Sequence, residues 1–312
     1  MKKKIHTINI LFLGGAKRVS IANEFIEAGL RHNRTINIYS YDLKKTVPIS
    51  EIGEVIVGLK WNDLNLMNHL VNIIKSKEID IVIPFVDPAI VITEKLKESI
   101  NCLFTPTSSV DVCNFCFNKK LLDTKLKQSA ISTPSSNNLF PMIAKPIFGS
   151  SSIGIKVLKN ENDLKVFNKK HKPDEYILQR YIEGLEYSVD AYITQNGKIC
   201  SIIPRLREAV LGGEITEGKT ENNKDIIESA SLVIKKLKLK GAITIQYIQE
   251  FHSKKIYLIE INPRFGGGVP LSIKAGSDTP YILLSEFLNL DVNPVFWKEN
   301  TRMIRYFKEF YY

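Results

Sequence analysis

The chain has 312 residues, with 43 Lys and Arg against 33 Asp and Glu, a formal net charge of +10 and four cysteines. That length excludes a small disulfide or zinc scaffold and suits one large or two to three smaller domains. Hydrophobic residues at 44% and charged residues at 24% exclude global disorder, and the lysine excess, without an arginine-rich stripe interleaved with aromatics, reads as a solvated surface and not a nucleic-acid face.

Met1-Lys2-Lys3-Lys4 before the apolar run 8–13 imitates a signal peptide. Gly14-Gly15-Ala16-Lys17-Arg18 then stands where a small-residue cleavage site would be. The run is therefore expected to be a first buried strand, and the protein cytoplasmic. No run approaches the roughly 20 apolar residues of a membrane span. Helical spacing follows over 20–30, a strand over 36–41 ending at Asp42, a helix over 64–75, a strand over 79–84 and a helix over 90–96. Apolar strands alternating with amphipathic helices predict a doubly wound parallel sheet.

Cys113 and Cys116 form a lone CxxC with no second pair and no histidine at zinc spacing, so they read as a packing pair on a helix. A helix is expected over 118–129. Short strands over 142–145 and 154–158 flank a Gly/Ser-rich loop, and a helix follows over 164–169. A buried strand runs from Ile177 into a short linker. The remainder reads as antiparallel: 186–194 turns at Gln195-Asn196-Gly197 into 198–204, a helix spans 225–237, and 241–249 pairs with 255–261. Helices close the chain over 271–275 and 281–288.

Three constellations carry chemistry. The last hairpin has its tip near Ser253, which sets Gln246 opposite Glu260. Glu260 and Asn262 are two apart and share that face. Three oxygen-bearing side chains at a strand end suit magnesium, which keeps water or phosphate for its other positions. Pro263-Arg264 follows, where an arginine can neutralise phosphoryl oxygens, and Phe265-Gly266-Gly267-Gly268 would let backbone approach a ligand. The second constellation is Lys145-Pro146-Ile147-Phe148-Gly149-Ser150-Ser151-Ser152-Ile153-Gly154. It presents a lysine and then small residues whose N–H groups can face an anion; since the lysine precedes the loop, it is not a P-loop. Lys119 could add a second cation. The third is Gln179-Arg180-Tyr181-Ile182-Glu183-Gly184-Leu185-Glu186, where linker backbone can read a base edge and a carboxylate can accept from ribose hydroxyls.

This order of motifs resembles the ATP-grasp superfamily, most closely the carbamoyl-phosphate-synthase-like branch of carboxylate–amine ligases. The resemblance spans nearly the whole chain. It implies an α/β and α+β architecture: a Rossmann-like parallel sheet over 1–108, then a two-subdomain ATP-grasp fold with a small lid subdomain over 109–175 and a large subdomain with the metal site over 176–312. It implies that Lys119 and Lys145 contact ATP phosphates under a lid formed by Gly149, Ser150, Ser151, Ser152 and Gly154. Arg180 and Ile182 would meet the adenine edge, and Glu186 the ribose. Gln246, Glu260 and Asn262 would hold magnesium, as two ions bridged by Glu260, with manganese as a substitute. Arg264 would stabilise the transferring phosphoryl group. Many members carry Glu where this chain has Gln179 and an acidic ligand where it has Gln246. The second departure matches the carbamoyl-phosphate-synthase-like pattern.

The implied activity is ATP- and magnesium-dependent ligation of a carboxylate to an amine through an acyl phosphate, releasing ADP and phosphate. Small molecules are the expected partners, with no nucleic acid or membrane, and a homodimer is admitted. Full carbamoyl-phosphate synthase carries two such modules, whereas this chain carries one. Arg205 and Arg207, alternating on one strand, with Gly14 and Gly15 after the first strand, are candidate substrate residues. Two rivals stand beside this reading. One is a non-catalytic ATP-binding module of the same fold. The other is a nicotinamide-dependent oxidoreductase, for which the first strand lacks GxGxxG and Asp42 is the only support.

Overall fold

The computed structural model describes residues 6–127, 131–135, 139–149 and 153–311. The chain begins with β1 (His6–Leu13), α1 (Val19–Arg31), β2 (Arg34–Asp42), β3 (Glu54–Val57), α2 (Leu66–Ser76), β4 (Ile81–Pro84) and α3 (Asp87–Ser99). The four strands form a parallel sheet in the order β3-β2-β1-β4. Strand β1 is central and covered on both faces, which is why Ile10, Leu11, Phe12 and Leu13 run without polar interruption. Helix α1 buries Ile21, Ala22, Phe25, Ala28 and Gly29, one stripe at helical spacing.

Next come α4 (Val110–Phe117), α5 (Lys119–Leu126), β5 (Met142–Pro146), β6 (Lys156–Leu158), α6 (Glu161–Lys170) and β7 (Tyr176–Arg180). Strand β5 is the centre of a small antiparallel sheet, β6-β5-β7. Its own core is Met142, Ala144, Leu158 and Phe167. Strand β7 lies past the 175 boundary drawn from the sequence, yet its backbone pairs with β5. Helices α4 and α5, drawn on the lid side, place Cys116, Leu122 and Leu126 in the core of the following sheet. The CxxC is a packing feature: Cys113 and Cys116 are buried free thiols, and burial pushes the Cys116 thiol up to about 12.

The remaining elements are β8 (Gly184–Ile193), β9 (Ile199–Leu211), β10 (Glu214–Thr220), α7 (Lys224–Leu237), β11 (Gly241–Glu250), β12 (Ile256–Asn262), α8 (Val269–Lys274), α9 (Thr279–Phe287) and β13 (Arg302–Ile304). They build a six-stranded antiparallel sheet, β12-β11-β8-β9-β10-β13. One face of it, with Tyr187, Val189, Ile243, Ile245 and Tyr247, packs on α7 through Ile226, Ala230, Val233 and Ile234. The opposite face is divided. Toward one end, Tyr192, Cys200 and Ala242 join Phe265, Val269 and Leu283 in a core shared with Phe12, Phe25 and Phe85 of the parallel-sheet unit. Toward the other end the same face carries polar side chains.

Candidate functional site

The polar end of that face is laid out by strand register. Gln246 on β11 pairs with Glu260 on β12 and with Ser188 on β8, and Ser188 pairs with Arg205 on β9. In the next row Thr244 lies between Asn262 and Asp190. Directly paired residues share a face, so Gln246, Glu260 and Asn262 converge as the hairpin geometry predicts. The register shifts by one after Gln246, where Tyr247 pairs with Leu258. This bulge bends the hairpin just beyond the polar row. Among the described residues no three His, Cys, Asp or Glu side chains converge as a metal cage. One carboxylate and two amide oxygens instead suit magnesium that keeps phosphate and water as its other ligands.

Lys145 reaches the same place from the three-stranded sheet. It is 6% exposed on β5. Burial lowers its ammonium pKa to about 8; the nearby Glu260 and Glu186 carboxylates oppose the shift, and Lys119 reinforces it. Lys145 thus lies in the field of the Glu260 carboxylate, of the linker carboxylate Glu186 and of the second lysine, joining the three motifs read from the sequence. Lys119 opens α5, whose N-cap Asn118 accepts from the amides of Lys120 and Leu121. Its Nζ donates to the Gly149 carbonyl at 2.7 Å, and its amide donates to the Ile147 carbonyl at 3.1 Å. Gly149 and Gly154 bracket the loop at φ +117° and +78°, conformations that favour glycine. Ser150, Ser151 and Ser152 lie outside the described residues.

The linker is held from both sides. Gln179 is buried opposite Ile143, and Ile182 is buried as well. The Arg180 guanidinium pairs with Glu250 at 2.8 Å and donates to the Tyr257 hydroxyl at 2.9 Å. Its amide donates to the Ser135 carbonyl. Glu186, half exposed, pairs with Arg207 at 3.2 Å, so two residues expected in separate roles contact each other.

The arginines are more constrained than the sequence suggests. Arg205 is 1% exposed and grips Asp190 with two nitrogens, Nε at 2.7 Å and Nη2 at 2.8 Å. Asp190 also accepts from Ser272 and Thr244. Among the described residues, the buried Arg205 Nη1 and Arg207 Nε find no hydrogen-bond partner. Burial lowers the Arg207 pKa, with Glu186 and Glu260 opposing. Arg264 Nε meets Asp87, the first residue of α3, at 2.7 Å, and its Nη2 lies 3.4 Å from the Asn262 amide oxygen. Arg18 and Arg305 both pair with Glu214 at 3.0 Å and hold its carboxyl below the usual range, against burial. The Arg305 guanidinium also donates to the Gly267 carbonyl. The run Gly266-Gly267-Gly268, expected to admit a ligand, instead lies on the chain's own side chains: Cβ atoms there would strike Thr244, Glu214 and Arg205. Gly14, at φ +77°, ends β1 beside Val86, while Gly15 is buried against Phe12 and Ser40.

Asp87, Asp190, Glu214, Arg18 and Arg305 are the charged residues that sequence reasoning missed. Asp87-Pro88 after an apolar strand is a legible helix start. The others are recognisable only once distant strands are paired.

A family model described as "ATP-grasp in the biosynthetic pathway with Ter operon" matches residues 172–309. The fold is that of an ADP-complexed N5-carboxyaminoimidazole synthetase from Staphylococcus aureus, with a TM-score of 0.74 at 15% identity over 95% of this chain and 82% of that one. Residues 172–309 belong to the ATP-grasp superfamily. The chain is 29% identical over 234 residues to the carbamoyl phosphate synthase large chain of Clostridium botulinum, which covers 64% of it and 21% of the relative. It is 32% identical over 149 residues to the D-alanine–D-alanine ligase of Rickettsia canadensis, covering 43% and 41%. It therefore spans about a fifth of the length of the synthase large chains it matches. Among the described residues, no helix is long and apolar enough to cross a membrane.

Proposed function

We propose that this ATP-grasp chain is an ADP-forming ligase that joins a carboxylate to an amine. The observation that carries the reading is Lys145, buried with its pKa lowered to about 8 in the field of Glu260 and Glu186. A buried cation facing a row of oxygen ligands from another sheet suits a metal–triphosphate, whose anions satisfy the lysine and whose metal satisfies the row. Named relatives are ligases and synthases acting on small molecules.

In this reading Lys119 and Lys145 hold phosphate oxygens, with Gly149, whose carbonyl accepts from Lys119, beside them. Backbone at Arg180 and Ile182 reads the base, and Glu186 accepts from the ribose. Glu260, Gln246 and Asn262 would hold magnesium. Magnesium would supply charge neutralisation at the β- and γ-phosphates. The substrate carboxylate attacks the γ-phosphorus, the bond to ADP breaks, and Arg264, aimed by Asp87, balances charge on the moving phosphoryl group. The amine nitrogen then attacks the acyl carbon, phosphate departs, and the amine proton is released to water. Positioning and exclusion of water do most of the work.

The test incubates the chain with ATP, magnesium, pooled carboxylic acids and hydroxylamine, and measures ADP and hydroxamate together. Acid-dependent formation of both is expected. ATP binding with neither product would make the chain a binding module of the same fold.

A further inference from the structure

The carboxyl ends of the parallel strands open onto a cavity of about 870 Å³ that the nucleotide reading does not use. In the order β3-β2-β1-β4 the chain leaves β1 to one side for β2 and returns on the other for β4. That reversal leaves a crevice at the strand ends, where open α/β sheets take ligands. The lining contains Lys17, Arg18, Lys44 and Lys60 against a single carboxylate, Asp42. No ion pair engages Lys17, Lys44 or Lys60 among the described residues. A flat wall is supplied by the half-buried Trp61, its ring centroid 5.9 Å from that of the buried Tyr41. The Tyr41 hydroxyl accepts from the Leu59 amide at 2.7 Å, which fixes the segment that carries Trp61. Asp42 accepts from the Ser40 hydroxyl, and burial raises its pKa.

The cavity adjoins the reaction site at two points. Arg18 lines it and pairs with Glu214, which shares Arg305 and so the loop at Gly267. Pro88 lines it and follows Asp87, the partner of Arg264. A molecule lying in the cavity would therefore have one end beside Arg18 and Asp87, next to the arginine assigned to phosphoryl transfer.

We infer that this cavity takes the body of the acid substrate, a flat unsaturated small molecule carrying a second anionic group besides the carboxylate that is activated. The ring lies on Trp61, the second anion faces Lys17, Lys44 and Lys60, and a ring hydroxyl or N–H donates to Asp42. The carboxylate end points past Arg18. The inference rests on the ligase reading, since it assigns the acid that ligase would activate. The second anion can be a phosphate or a carboxylate, so both are probed.

The chain has two tryptophans, Trp61 and Trp297, so emission can be assigned by substitution. The protein, held with saturating MgADP to fill the nucleotide site, is titrated with 4-carboxyphenyl phosphate, terephthalate and benzoate. Either compound with two anionic groups is expected to give a saturable change in emission, at least about tenfold tighter than benzoate, and the tighter of the two identifies the second anion. The change disappears in Trp61→Phe, and affinity falls at least about tenfold in Lys44→Glu/Lys60→Glu, whose melting temperature still rises with MgADP. No saturable change, or one that survives both variants, overturns the inference while a MgADP-induced rise in melting temperature keeps the ligase reading. Absence of that rise in the unmodified protein overturns the ligase reading and the inference with it.

Discussion

Lys145 is a side chain whose burial costs stability in the site proposed to hold the nucleotide. Its folded pKa of about 8 lies below the unfolded value of 10.5. Between those values the unfolded chain binds more protons than the folded one, so stability rises with pH across this window. Below about pH 8 the buried ammonium costs the full amount, roughly 3 kcal/mol from the size of the shift. Lys145→Met should therefore raise the apo melting temperature at pH 7, and flatten its rise between pH 8 and 10, while abolishing the increase caused by MgADP. Calorimetry with and without MgADP checks both halves; a less stable variant that still responds to MgADP would remove Lys145 from the nucleotide site. Glu260 acts differently, as the only carboxylate in its row. Glu260→Ala should lower magnesium-dependent ADP formation by at least about 10²-fold, the scale expected when a charge-balancing group is lost. A coupled ADP assay at fixed ATP reads this, and turnover at the unmodified rate would sink the metal assignment.

At the scale of elements, the polar face is braced by one buried ion pair. Asp190 on β8 accepts from Arg205 on β9, Thr244 on β11 and Ser272 on α8, so four elements meet at one carboxylate. Removing one partner of such a pair strands a buried charge, which costs about 3–5 kcal/mol. Arg205→Ala and Asp190→Ala should each lose that much in urea unfolding, and the double variant much less than their sum. Additive losses would show that the two charges do not depend on each other. Arg205 also shows where the sequence stops being informative. Alternating arginines after an apolar strand look the same whether they face a ligand or a buried aspartate 15 residues earlier. The hairpin was legible because its tip fixes the register and Glu260 and Asn262 follow from the period of two. Strand β9 was expected to end at 204 but continues to Leu211, and β10 was missed. The end of β9 carries Arg207 and Glu208, and β10 carries Glu217 and Lys219, at half-buried or exposed positions, so the apolar alternation that marks a strand is lost. Strand β3, Glu54–Val57, escaped because it is a sheet edge with no residue fully buried, whereas the equally short β4 is buried throughout and reads as an apolar run. The start of α3 was placed three residues late, which hid Asp87.

At the scale of the molecule, the question is whether the parallel-sheet unit and the antiparallel sheet unfold separately. A boundary near residue 108 is readable from the change of pattern, but the core that crosses it is not, because its members are far apart in sequence. Phe265 leaves β12 and packs against Phe25 and Phe85, with ring centroids 6.3 and 5.9 Å apart. Helix α9 adds Leu283 and Leu284 to the same core, and Arg264 ties α3 through Asp87. Apolar contacts of this kind give up their energy together, since exposing one face exposes the other. The two tryptophans report on the two sides. Trp61 packs beside Tyr41 at the end of the parallel sheet, and Trp297 follows Val295, whose amide bonds to Cys200 on β9. Urea transitions followed by Trp61 alone, in Trp297→Phe, and by Trp297 alone, in Trp61→Phe, should share one midpoint once each variant's own stability is allowed for by circular dichroism. Phe265→Ala removes the ring at the junction, with an expected loss of about 3–5 kcal/mol. In that background the midpoints should separate, because the units keep their own cores and lose what couples them. Midpoints already apart in the parent would mean that the shared core is too weak to bind the units into one cooperative whole. The site between Lys145, Glu260 and Arg264 would then be assembled by the nucleotide and not held ready for it.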